Sequence, residues 1–230
     1  MPTLTPEQIT ELTEAAVNEF FSNSLTLNQH TFAVQITKEI FVKIESKAEM
    51  ESKASALQQF HERVTQFEQD FQIHLKQADT PQQLSALRFA ILWLQFTAGG
   101  AAAQKVVKDQ YESLKHSERG IKYAEAFLAQ GETEANVHAV VLMLYSGMGY
   151  TLGNAPFNDA KQQLTYYQRG LDHAETFLTQ GETNAAVLEW ILDLYSKAGV
   201  TLGNAPFNDA KQELILVGNK FSENVAAVNE

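Results

Sequence analysis

The eleven residues Thr151 to Lys161, TLGNAPFNDAK, recur without change at Thr201 to Lys211. Carried outward at the same offset of 50, the match takes in Phe127-Leu128 with Phe177-Leu178 and Gln130-Gly131-Glu132-Thr133 with Gln180-Gly181-Glu182-Thr183. It also takes in Leu144-Tyr145-Ser146 with Leu194-Tyr195-Ser196, and 28 of the 50 positions of 121–170 are identical in 171–220. An internal duplication is the first property of this chain, and self-similarity at such a period is the mark of repeat architectures. A worn copy is expected at 71–120, where Ile91-Leu92-Trp93-Leu94 aligns with Val141-Leu142-Met143-Leu144 and Gly120 with Gly170. A fourth, at 21–70, is suggested by apolar spacing alone.

Each copy reads as two helices. Ala160, Leu164, Tyr167, Leu171, Ala174 and Leu178 recur at steps of three and four, one face of a helix of about 23 residues. Gly170 falls among them and implies a close helix contact or a bend. Gln180-Gly181 ends the helix, since glycine can take the left-handed cap, and Thr183 is the expected cap of the next. That helix, about 184–198, buries Val187, Trp190, Ile191 and Leu194 and stops near Gly199; its counterpart carries Val137, Val141, Leu144 and Met148. A long helix followed by a shorter one across a turn of two or three residues makes an antiparallel pair.

In the invariant connector, Pro156 suits the first turn of a helix and Asn154 or Asn158 could cap it. The connector is kept while the helices after it differ, which implies a shared constraint: capping and packing through Leu152 and Phe157, or a repeated contact with a ligand or partner through Asn154 and Asn204.

Upstream, apolar spacing predicts helices over 7–23, 26–46 and 49–77, a break at Asp79-Thr80-Pro81, then helices over 82–98 and 102–130. The expected fold is all-α, with antiparallel helical hairpins of about 50 residues stacked as a short solenoid or bundle. A single domain over 1–230 is expected: N-terminal helices at 5–70, the degenerate repeat at 71–120, clear repeats at 121–170 and 171–220, and a flexible tail at 221–230. The alternation resembles helical-hairpin repeat proteins of the tetratricopeptide sort in outline. That family's period is about 34 residues, and its Trp…Leu-Gly…Tyr…Ala…Phe…Pro pattern is not reproduced here, so the likeness ends at helix–turn–helix stacking.

Composition removes several chemistries. The chain has 230 residues, 44% hydrophobic, with a formal charge of −11 and no cysteine. A folded, soluble body is expected, while disulfides, thiolate metal sites and cysteine nucleophiles are excluded. No basic stripe offers itself to nucleic acid. None of the six histidines, at 30, 61, 74, 116, 138 and 173, follows a Glu by three residues, as a di-iron bundle requires. Glu134 and His138 lie one turn apart and read as a solvent-facing pair. Phosphate-loop, dinucleotide and nucleophile-elbow motifs are absent. No cofactor, metal ligand or catalytic residue is expected. The start of the chain shows no signal-peptide pattern, which favours a cytoplasmic site. The uncharged stretch Phe89 to Gln104, FAILWLQFTAGGAAAQ, is shorter than the roughly 20 residues a membrane span needs. It reads as a buried helix ending at Gly99-Gly100.

The functional expectation is therefore a non-enzymatic protein-binding or scaffold module. Aromatic anchors fill the seams between hairpins, and the leftover surface of the short helices serves recognition. There the copies vary, HAVVLM at 138–143 against LEWILD at 188–193. Candidate binding residues are Trp190, Glu189 and Asp193 on that face, with His138, Tyr145, Tyr195, Asn154 and Asn204. A basic or amphipathic protein would suit the acidic surface. Two other classes remain open: a membrane-inserting, pore-forming type using the apolar stretch within 84–104, and a small-ligand-binding protein or enzyme with an internal pocket.

Overall fold

The computed structural model describes residues 62, 64–66, 68–69, 71–103 and 109–204. The helices expected over 7–23 and 26–46, residues 49–61 of the helix expected over 49–77, most of the fourth copy at 21–70 and everything after 204 lie outside the described residues; the described positions from 62 to 75 are helical, as expected, with a turn at 76–77. Those that are described are all-α: residues 71–75 are helical, and after them come α1 (Pro81–Ala103), α2 (Gln110–Ala129), α3 (Ala135–Gly153), α4 (Ala160–Thr179) and α5 (Ala185–Gly203). Contacts divide the chain into two compact units, Met1–Leu94 and Gln95–Glu230, and the boundary falls within α1.

In the first unit, α1 opens on a reciprocal cap. Thr80 Oγ1 accepts from the Gln83 amide at 3.2 Å, while Gln83 Oε1 accepts from the amides of Thr80 at 3.2 Å and Asp79 at 3.1 Å. Pro81 follows as the first helical residue, where no amide is needed. Leu87, Phe89, Ile91, Leu92 and Leu94 are buried, and the Phe89 and Trp93 rings stack with centroids 5.8 Å apart.

The second unit begins with the last turns of α1. The helix does not end at Gly99-Gly100 but runs on to Ala103. Gly99 is there for proximity: a Cβ would stand 3.3 Å from the Ser113 carbonyl oxygen and 3.5 Å from Ser117 Oγ. Glycine in α3 acts alike, for a Cβ on Gly149 would fall 2.3 Å from the Tyr167 ring. Packing against the glycine backbone offsets its poor helix propensity, so α3 continues past Gly149; α5 likewise runs past Gly199, to Gly203. Four helices of 20, 19, 20 and 19 residues result, in place of the expected alternation of long and short.

The turns recur at the 50-residue offset. After α2 and α4 the chain closes with Gly131 and Gly181 at φ +80° and +86°. The amides of Glu132 and Glu182 bond back to Phe127 and Phe177 at 3.2 and 3.0 Å, and those of Gly131 and Gly181 to Leu128 and Leu178 at 3.0 Å each. This is the glycine-ended cap anticipated for Gln180-Gly181. The cap of α5 is Asn184, one residue later than expected: its side chain accepts from the Ala186 amide at 3.0 Å. Glu182 Oε1 accepts from the Asn184 amide at 2.8 Å. At α3 the Glu132 carboxylate takes the amides of Thr133 and Glu134 at 2.9 Å each.

The connector is also built differently from expectation. Asp159 caps α4, accepting from the Gln162 amide at 3.0 Å, as Asp109 caps α2 from Glu112 at 3.0 Å. Neither Asn154 nor Asn158 does so, and Pro156 precedes the helix rather than entering its first turn. Asn154 instead closes the end of α3, its amide donating to the Tyr150 carbonyl at 2.7 Å. Asn204 repeats that bond to Val200 at 2.6 Å. Phe157 sets its ring edge-on to Tyr111 at 4.9 Å, and Leu152 is buried.

Helix α3 is apolar around nearly its whole circumference, the composition of an enclosed helix, and it packs against α2, α4 and α5. Gly170 of α4 meets it closely: a Cβ there would stand 2.9 Å from Tyr145 Cβ. Gly120 of α2 stands in the same relation to Leu144.

Candidate binding surface

The seam between α3 and α5 carries polar contacts at one level. Ser146 of α3, 1% exposed, donates to Asp193 Oδ2 of α5 at 2.9 Å and accepts from Lys197 Nζ at 2.7 Å. Asp193 and Lys197 are themselves bonded at 2.7 Å, one helical turn apart. The Lys197 ammonium also stands 6.0 Å from the centre of the half-buried Trp190 ring. The hydroxyl is thus enclosed, with both hydrogen-bond roles in use.

Along α3, Ala139, Leu142 and Ser146 lie on one stripe and are 8%, 0% and 1% exposed. Fifty residues on, α5 carries Glu189, Leu192 and Ser196 in the same register, and all three are exposed, Leu192 to 41%. Val200 continues the α5 stripe at 54% exposure, as Tyr150 does on α3 at 61%. Over the first three positions, though not at Tyr150, the duplicated helix turns outward what its predecessor buries.

A second polar cluster fixes α2, α3 and α4 to one another. The Tyr145 hydroxyl donates to Glu125 Oε1 at 3.0 Å. Its single proton is thereby committed, so His173 Nε2, 3.1 Å away, is the donor to the same oxygen. Arg169 bonds the same carboxylate oxygen, and its guanidinium lies over the rings of Tyr145 and Tyr166 at 5.4 and 5.2 Å. Burial, then the Glu125 charge, pushes the Tyr145 hydroxyl well above its usual pKa. Burial holds His173 below the ordinary histidine value of 6.5. A tyrosine this reluctant to ionise and a neutral imidazole make a structural clamp.

Sequence reasoning grouped residues that the fold separates. Trp190, Glu189 and Asp193 do share α5, with Glu189 outermost and Asp193 drawn to the α3 seam. Tyr145 and Tyr195 are core anchors, 0% and 3% exposed. Asn154 and Asn204 terminate helices. His138 is buried, not solvent-facing, and its side chain is bonded elsewhere than to Glu134. Its ring stacks on Phe177 at 3.8 Å and 6°, with Nδ1 3.1 Å from Glu182 Oε2 and Nε2 3.4 Å from the Glu132 carbonyl. Leu192 and Ser196, which sequence reasoning did not single out, are each identical in the two copies yet exposed where Leu142 and Ser146 are buried.

Among the described residues, no group of three or more His, Asp or Glu side chains could hold a metal ion, and no helix is long and apolar enough to cross a membrane. Comparison with protein-family models, with curated proteins and with solved structures finds no match.

Proposed function

We propose that the protein is a non-enzymatic binding or scaffold module, its helical hairpins stacked as successive repeats so that α5 is offered to a protein partner. One observation carries this: Leu192 is 41% exposed where Leu142, its equivalent in the preceding copy, is fully enclosed. An exposed leucine alone is ordinary. One that replaces an enclosed residue of a duplicated seam is a seam left open. Glu189 beside it and the overall charge of −11 favour a basic or amphipathic partner.

The test is affinity capture from source-cell lysate with the intact chain and with a Glu189→Lys, Leu192→Glu chain, after circular dichroism establishes equal helicity. A protein retained by the intact chain and released by the variant supports the proposal. Equal retention by both, or none by either, overturns it.

A further inference from the structure

The α3–α5 seam also specifies what an α5 stripe accepts. On α3 the stripe of Ala139, Leu142 and Ser146 is covered, and the covering helix sets a carboxylate and, four residues later, a lysine around the serine hydroxyl. The equivalent stripe of α5 keeps the leucine and the serine and exchanges alanine for Glu189. Continuity with the established seam thus gives the shape of the occupant, and Glu189 adds a demand for positive charge.

We infer that the stripe Glu189–Leu192–Ser196 docks a partner's amphipathic helix that presents an acidic residue and a lysine one turn apart to Ser196, and a basic residue to Glu189. This deepens the function proposed above and rests on it. A second copy of this chain is the less suitable occupant, because pairing through α5 joins two bodies of charge −11. The serine is the selective element: its hydroxyl can accept from the lysine and donate to the carboxylate, as Ser146 does, and a helix lacking that pair leaves the hydroxyl covered without partners.

The probe is a fluorescein-labelled peptide with the sequence of residues 184–204 and Ala186→Lys, seven residues before Asp193 as Glu189 is before Ser196, titrated with the full chain by anisotropy. Saturable binding is expected, weakened at least about ten-fold when the peptide carries Asp193→Ala and Lys197→Ala. A similar loss is expected when the chain carries Leu192→Glu or Ser196→Val. Both sites are exposed, and circular dichroism checks that the variants stay folded. Absence of binding, or binding indifferent to the peptide's acid–lysine pair, overturns the inference. A dimer of the intact chain in sedimentation velocity that Leu192→Glu abolishes overturns it too, by making a second copy the occupant. If lysate capture succeeds while the peptide fails, the binding module stands and only this partner chemistry falls.

Discussion

Two glycines of the same unit do opposite things. At Gly149 an added methyl would enter the Tyr167 ring, with carbons at 2.3 to 2.9 Å. Gly149→Ala is expected to destabilise by about 1–3 kcal/mol through overpacking. At Gly100 nothing lies within 4 Å, so Gly100→Ala should gain up to about 1 kcal/mol of helix propensity. Urea denaturation separates the two signs. His173 supplies a pH dependence. Burial lowers its folded pKa below 6.5, so below that pH the unfolded chain binds more protons than the folded one. Stability from this residue is complete above 6.5 and is lost as the pH falls through the depressed value. Glu125, Tyr145, Arg169 and Asp172 are the titratable or charged groups around it. His173→Gln keeps a donor for Tyr145 and removes the titration, so its urea midpoint should change less between pH 6.5 and 5 than that of the parent chain.

At the scale of the element, the caps decide where helices begin. Asp159→Ala should cost about 0.5–2 kcal/mol, because the Gln162 amide loses its acceptor. Thr183→Ala should cost little, since Asn184 does the capping; thermal denaturation of the pair tests the distinction. Helices and turns were legible in the sequence because apolar steps of three and four and the Gln-Gly punctuation are local signals. The caps were displaced by one or more residues because threonine, asparagine and aspartate are all competent, and the choice depends on backbone angles that composition does not carry. The run of α1 through Gly99-Gly100 was hidden for another reason. Propensity reads a glycine pair as an end, whereas Ser113 and Ser117, on the next helix, make one of them a contact. His138 was misread in the same way: its partner Glu182 lies 44 residues away, beyond any helical spacing.

Across the second unit, enclosure is graded. α3 has neighbours on several sides, whereas α5 keeps an open stripe, and amides deep in a packed helix exchange only through large openings. Hydrogen exchange should therefore be slowest in α3, with α5 faster despite its equal length. Faster exchange in α3 than in α5 would contradict this ordering. The seam stripe itself was half legible: the duplication exposed the equivalence of Leu142 and Leu192, but which copy is covered depends on the stacking order. The two tryptophans fall one to each unit, Trp93 beside Phe89 and Trp190 beside Lys197. A Trp93→Phe chain would therefore emit from α5 alone. Water leaving the neighbouring face would shift that emission to the blue, turning α5 into its own optical gauge of occupancy.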